Sequence, residues 1–137
     1  MTNAAKKCSE LGAKKTVELN VSGPFHSSLL KDAADKLAEE LKNVSINNPG
    51  IPYVCNVDAT EVTNNENIAK LLSDQVISPV KWEQSFKYML DKGIDTFIEM
   101  GPGKTLSGFA KRIDRAAKVI SIQTVEDLEK LSEVLNG

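Results

Sequence analysis

The sequence changes from a predicted strand to a predicted helix at Ser22-Gly23-Pro24-Phe25-His26-Ser27-Ser28. Residues 16–21, before it, alternate apolar and polar side chains, which predicts a half-buried strand. Residues 27–43, after it, carry apolar side chains on one helical stripe and charged side chains mostly on the other faces. A strand that leads through a turn into a helix is the building unit of α/β folds.

His26 is the only histidine of the 137 residues. Histidine is the side chain whose ordinary pKa lets it take up and return a proton near neutral pH. The junction between a strand and a helix is also where an α/β fold exposes side chains at the edge of its sheet. The pattern therefore indicates an acid–base residue, while a histidine that only caps or packs against the next helix remains an open alternative.

The rest of the chain continues the alternation of strands and helices. Further strands are predicted over residues 51–57, 96–100 and 118–122, and further helices over residues 3–11, 64–77, 79–93, 106–113 and 125–135. Asn3 and Ser78 are expected to cap two of these helices, and Thr124 with Asp127 predicts a capping box for the last one. This order predicts a mostly parallel sheet with helices packed against it.

Composition excludes several classes of function. The formal net charge of −2 gives no electrostatic case for nucleic acid or an anionic membrane, and no apolar run reaches membrane-spanning length. With one histidine, and with Cys8 and Cys55 outside any CxxC pair, a zinc site is not expected. Both cysteines are expected to be reduced thiols of a cytosolic protein.

The stretch Gly101-Pro102-Gly103-Lys104-Thr105 invites comparison with a phosphate-binding loop. That loop requires a glycine where Ile98 stands, and Pro102 removes one of the backbone N–H donors on which it depends. A tight turn between a strand and a helix is the favoured interpretation, although the N-terminus of that helix could still attract an anion. The nucleophile elbow G-x-S-x-G is absent from the sequence.

Basic side chains concentrate near the end of the chain, at Lys104, Lys111, Arg112, Arg115 and Lys118. They fit either a solvated helix face or a surface that meets an acidic partner. A stand-alone small α/β binding module for an acidic partner is therefore one hypothesis for the function.

Four motifs in order support a different hypothesis: Gly23-Pro24-Phe25-His26-Ser27, Asn56-Val57-Asp58, Gln75-Val76-Ile77-Ser78-Pro79-Val80-Lys81-Trp82 and Glu99-Met100-Gly101-Pro102-Gly103-Lys104-Thr105-Leu106. Together they resemble the C-terminal part of bacterial malonyl-CoA:acyl carrier protein transacylases and, more loosely, the acyltransferase domains of polyketide and fatty acid synthases. The resemblance covers essentially the whole chain.

The resemblance implies an acyl-serine mechanism in fatty acid biosynthesis. In that family an elbow serine takes the malonyl group from coenzyme A, and a histidine, matched by His26, serves as general base and then general acid. The backbone carbonyl of a glutamine, matched by Gln75, orients the histidine. Coenzyme A and phosphopantetheine carry the acyl group, so no metal or redox cofactor is expected, and the implied partners are malonyl-CoA and acyl carrier protein.

The serine, the arginine that binds the malonyl carboxylate and the glutamine of the oxyanion hole precede this region in the family's chain. The expectation is thus a C-terminal portion, inactive without the N-terminal part of the same enzyme. Residues 1–21 would be the last helix and strand of a ferredoxin-like small subdomain. Residues 22–137 would be the C-terminal part of a three-layer α/β acyltransferase subdomain. The expected location is the cytoplasm.

Overall fold

The computed structural model describes the backbone of residues 2–17, 21 and 23–136. Its helices are α1 (Thr2–Glu10), α2 (Lys31–Leu41), α3 (Ile68–Ile77), α4 (Trp82–Asp91), α5 (Thr105–Ile113) and α6 (Val125–Asn136), and a 3₁₀ turn at Ser28–Leu30 precedes α2. Its strands are β1 (Tyr53–Val54), β2 (Glu61–Val62), β3 (Thr96–Met100) and β4 (Lys118–Ile122). The predicted strands over residues 96–100 and 118–122 are confirmed.

Strands β3 and β4 form a parallel pair, joined through α5. The register runs from Thr96 opposite Lys118 to Met100 opposite Ile122. Parallel strands need a crossover connection, and a helix usually supplies it. This strand–helix–strand unit confirms the predicted α/β class.

An apolar cluster joins this unit to α4. Phe86 is its centre, with a side chain that is 1% exposed and a ring centroid 4.3 Å from that of Phe97 on β3. Ala110 on α5 and Ala117 before β4 are buried against it. Small residues at these two positions let α5 and the start of β4 approach the large ring closely.

Strands β1 and β2 form a separate antiparallel pair, with Tyr53 opposite Val62. The strand predicted over residues 51–57 is therefore shorter than expected and has a local partner that the sequence pattern did not predict. Ala59, in the connecting turn, has a φ of 61°, in the left-handed region that non-glycine residues seldom adopt. A second apolar cluster, centred on Cys55 and Ile68, packs this hairpin against α3.

Several boundaries differ from the predictions. Of the strand predicted over residues 16–21, residues 18–20 lie outside the described residues, and Thr16, Val17 and Val21 belong to no strand. Asn3 lies inside α1, so its predicted capping role is wrong. The helix predicted over residues 27–43 is divided into the 3₁₀ turn and α2.

Helix α4 begins at Trp82 rather than near Pro79, so the predicted cap at Ser78 is also wrong. Ser78 has an extended backbone, as expected for a residue before proline. The backbone N–H of Lys81 donates to the Asn56 carbonyl at 2.9 Å. This tertiary bond ties the linker between α3 and α4 to the β1–β2 turn.

The capping box of α6 is confirmed. The Asp127 carboxylate accepts from the backbone N–H groups of Gln123 at 3.0 Å and Thr124 at 3.2 Å, and the Thr124 hydroxyl accepts from the Asp127 N–H at 3.3 Å. The hydrogen bond from Gln123 is the main reason that the pKa of Asp127 lies below its ordinary value.

Candidate functional site

His26 lies in the turn that precedes the 3₁₀ turn, with a φ of 56°. Left-handed backbone costs a non-glycine residue roughly 1–2 kcal/mol, so neighbouring contacts must hold this conformation. One such contact is visible: the Ser27 hydroxyl donates to the Pro24 carbonyl at 2.7 Å and closes the turn around His26. The imidazole is exposed.

The imidazole is oriented by the backbone of α3, which is 49 residues away in sequence. Nδ1 of His26 lies 3.0 Å from the carbonyl oxygen of Gln75. A carbonyl oxygen can only accept, so Nδ1 carries the proton in this hydrogen bond. A neutral ring in this tautomer has an unprotonated Nε2, which is the atom a base needs.

Gln75 is able to accept this bond because of its place in the helix. It lies in the last turn of α3, which ends at Ile77, and the last carbonyls of a helix have no intrahelical donor. These carbonyls also form the negative end of the helix dipole. A carbonyl in this position can thus orient an imidazole, as an aspartate does in other sites.

An apolar groove of about 340 Å³ adjoins His26 and Gln75. Its apolar wall consists of Phe25, Leu30 of the 3₁₀ turn, Leu37 of α2, and Leu72 and Val76 of α3. Phe25 is 62% exposed and Leu72 is 42% exposed, so this groove is open to water in the described part of the chain. The structure therefore brings together both residues predicted to form the site and places them beside an apolar surface.

The turn at Gly103 does not leave a vacant anion site at the start of α5. The Glu99 carboxylate accepts from the backbone N–H groups of Leu106 at 3.0 Å and Ser107 at 2.9 Å, and also from the Ser107 hydroxyl. The Gln123 side chain accepts from the N–H of Gly103 at 2.8 Å. The hydrogen bonds from Ser107 lower the pKa of Glu99 below its ordinary value.

An internal carboxylate thus occupies the position where a phosphate would bind, and this agrees with the rejection of a phosphate-binding loop from the sequence. Sequence analysis missed this role of Glu99. The signal available was an acidic residue at the end of a strand, a few residues before a glycine-rich helix start.

The basic residues near the end of the chain do not all remain available to a partner. The Lys111 ammonium group donates to the carbonyl of Ala117 at 2.5 Å, which ties α5 to the start of β4. Lys104, Arg112, Arg115 and Lys118 are exposed. Lys111 therefore has a structural contact, and the other four form the exposed basic surface.

Among the described residues there is no group of three or more histidine, cysteine, aspartate or glutamate side chains that could hold a metal ion. Within the same part of the chain, no helix is long and apolar enough to cross a membrane. Cys8 is exposed and Cys55 is buried, and both are free thiols.

Known proteins resemble this chain over nearly all of its length. The malonyl CoA-acyl carrier protein transacylase of Bacillus subtilis strain 168 is 41% identical over 132 residues, which is 96% of this chain and 42% of that protein. The crystal structure of the Streptococcus pneumoniae transacylase superposes with a TM-score of 0.88 at 44% identity, over 97% of this chain and 43% of that one. No protein-family model matches the sequence.

A third relative is a malonyl transacylase solved in complex with a type II polyketide synthase acyl carrier protein. Its TM-score is 0.88 at 32% identity, over 99% of this chain and 43% of that one. The chain thus spans less than half the length of the relatives it matches. These comparisons favour the resemblance to malonyl transacylases over the hypothesis of a stand-alone binding module.

Proposed function

We propose that this chain carries the acid–base half of a malonyl-transfer site. The reason is that the chain belongs to the malonyl CoA-acyl carrier protein transacylase family, as the counterpart of its C-terminal portion. His26 is the general base and acid, and the Gln75 carbonyl is its orienting group. The observation that carries the proposal is the 3.0 Å hydrogen bond between His26 Nδ1 and the Gln75 carbonyl. It leaves Nε2 as the atom that exchanges protons with the reactants.

In the first half-reaction, Nε2 of His26 takes the proton from a serine hydroxyl, and the serine oxygen attacks the malonyl thioester carbonyl. The carbon–sulfur bond then breaks, and the imidazolium returns its proton to the departing coenzyme A thiol. In the second half-reaction the phosphopantetheine thiol of acyl carrier protein gives its proton to Nε2 and attacks the malonyl–serine ester. The serine leaves and recovers the proton from His26.

The reaction needs groups that this sequence does not contain. It has no G-x-S-x-G serine. The family resemblance implies that the carboxylate-binding arginine and the oxyanion glutamine precede this region in the family's chain. We assign these groups to the N-terminal portion of the enzyme. By itself, therefore, the 137-residue chain is expected to have no transacylase activity.

The proposal extends to organisation and location. Residues 1–21 are assigned to the end of a ferredoxin-like small subdomain, and residues 22–137 to the large α/β subdomain. The two free thiols, Cys8 and Cys55, fit a protein of the cytoplasm, where thiols stay reduced. Malonyl-CoA and acyl carrier protein are the proposed acyl donor and acceptor.

The test is to assay malonyl transfer by the chain alone and after co-expression with the elbow-containing N-terminal segment of a relative. We expect activity only from the assembled protein. In that assembly His26→Ala should slow acylation by about 10²–10⁴-fold, the usual contribution of a general base. Ser28→Ala, at an exposed residue in the adjacent 3₁₀ turn, is the matched control and should leave the rate unchanged.

Two results would overturn the proposal. One is a loss smaller than about threefold for His26→Ala, well below the range of general-base catalysis. The other is malonyl transfer by the chain alone, after host transacylase has been excluded by a mock purification.

A further inference from the structure

We infer that Pro79 is a positioning residue, which keeps the Gln75 carbonyl available to His26. An α-helical carbonyl at residue i accepts from the N–H of residue i+4. For Gln75 that residue is Pro79, and proline has no backbone N–H. The one backbone donor that would continue the helix through Gln75 is therefore absent from the chain itself.

Pro79 also acts on the residue before it. A proline ring disfavours helical backbone at the preceding residue. Ser78 accordingly has a φ of −100° and a ψ of 148°, and α3 ends at Ile77. The chain then remains outside a helix until Trp82, with the Lys81 N–H held by the Asn56 carbonyl. Both effects leave the Gln75 oxygen at an open helix end, where it accepts from His26.

The inference deepens the proposed function and rests on it for its catalytic meaning, but its test does not require catalysis. With alanine at position 79, the backbone N–H is restored and Ser78 can adopt helical angles. The last turn of α3 can then continue, and the new N–H competes with His26 Nδ1 for the same oxygen. The imidazole loses its orienting partner and is free to move its proton to Nε2.

The single histidine makes this measurable in the 137-residue chain, since all imidazole ¹⁵N signals belong to His26. At about pH 8.5, where imidazoles are neutral, the ¹⁵N shifts of Nδ1 and Nε2 report the ratio of the two tautomers. We expect the Nδ1–H form to dominate in the unaltered chain. In Pro79→Ala its ratio to the Nε2–H form should fall about three- to tenfold, the change that loss of one net hydrogen bond produces.

Two further variants separate the missing N–H from other consequences of the substitution. Pro52→Ala changes an exposed proline outside the site and should leave the tautomer ratio unchanged. Lactic acid at position 79 is an analogue of alanine in which an ester oxygen takes the place of the backbone N–H. It therefore has neither the proline ring nor a backbone donor. This variant lacks the competing donor, so it should retain the Nδ1–H tautomer even where Pro79→Ala does not fold.

A normal tautomer ratio in folded Pro79→Ala would overturn the inference, and so would loss of the Nδ1–H form in the lactic acid variant. Backbone amide spectra and Trp82 fluorescence establish that each variant is folded. Failure of the transacylase assay together with the expected tautomer shift would overturn the proposed function and leave the positioning role of Pro79 in place.

Discussion

Phe86 is the side chain whose truncation we expect to cost the most free energy of unfolding. It is 1% exposed, and its ring packs at a centroid distance of 4.3 Å against Phe97. Replacing a fully buried phenylalanine by alanine costs about 3–5 kcal/mol, since the apolar transfer free energy is lost and a cavity remains. The lost aromatic pair accounts for about 0.5–1.5 kcal/mol of that total.

A matched control lies on α5, where Phe109 is 42% exposed. Nearly half of its surface is already in water, so Phe109→Ala should cost only about 0.8–1.5 kcal/mol, half of the full transfer free energy of a large apolar side chain. Phe86→Leu provides an intermediate step. It should cost about 1–2 kcal/mol, because leucine retains much of the apolar volume and loses the ring pair.

The measurement is urea unfolding of the 137-residue chain, followed by fluorescence and by far-ultraviolet circular dichroism. Trp82 is the only tryptophan, and its ring centroid lies 6.4 Å from that of Phe86, so its emission reports on this cluster. Phe86→Leu keeps the comparison possible if the alanine variant is already unfolded without urea. A cost for Phe86→Ala equal to or below that for Phe109→Ala would refute the assignment of Phe86 as the centre of the core.

Three further outcomes are expected. The pKa of Glu99 is lowered in the folded protein, so its carboxylate stabilises the fold at pH values above its unfolded pKa of about 4.5, and this contribution is lost as the pH falls through the folded pKa. In Glu99→Gln the urea midpoint should therefore fall less steeply with decreasing pH in the acid range. An unchanged dependence of the urea midpoint on pH would contradict this. In the assembled enzyme Gln75→Ala should lower kcat much less than His26→Ala, because the Gln75 group that accepts from the imidazole is its main-chain carbonyl. Equal losses of kcat would show that the side chain of Gln75 acts in the reaction. Charge reversal at Arg112 and Arg115 should slow discharge onto acyl carrier protein, most strongly at low salt, and spare acylation from coenzyme A; equal slowing of both half-reactions would point to misfolding.

Elements with local signals could be predicted from the sequence. Strands β3 and β4 and the capping box at Thr124 follow from apolar runs and short-range polar pairs, which tertiary contacts did not override. The β1–β2 hairpin could not be predicted in the same way. Its register depends on a turn with left-handed backbone at Ala59, a residue type that gives no sign of that conformation.

The candidate site, like the fold, could be predicted from the sequence only in part. That His26 could act as a base followed from its residue type and its place before a helix. Its pairing with Gln75, however, came from the family resemblance, since no periodicity links residues 49 positions apart. The spacing between Gln75 and Pro79 was nevertheless a physical signal in the sequence, because a proline four residues after a helical position leaves that carbonyl without its usual donor.

The exposure of His26 to water bears on how the proposed base could work. A base works best where water is excluded, because electrostatic interactions are weak in bulk water. Here the imidazole is exposed, and the apolar groove beside it includes Phe25, which is 62% exposed. The described part of the chain thus holds His26 against the Gln75 carbonyl but leaves the imidazole in contact with water, which would weaken the proposed base. If the serine-bearing portion covers the groove, the same contact supplies the nucleophile and excludes water. The proposed base would then be effective only in the assembled enzyme, even though the hydrogen bond of His26 to α3 already exists in this chain.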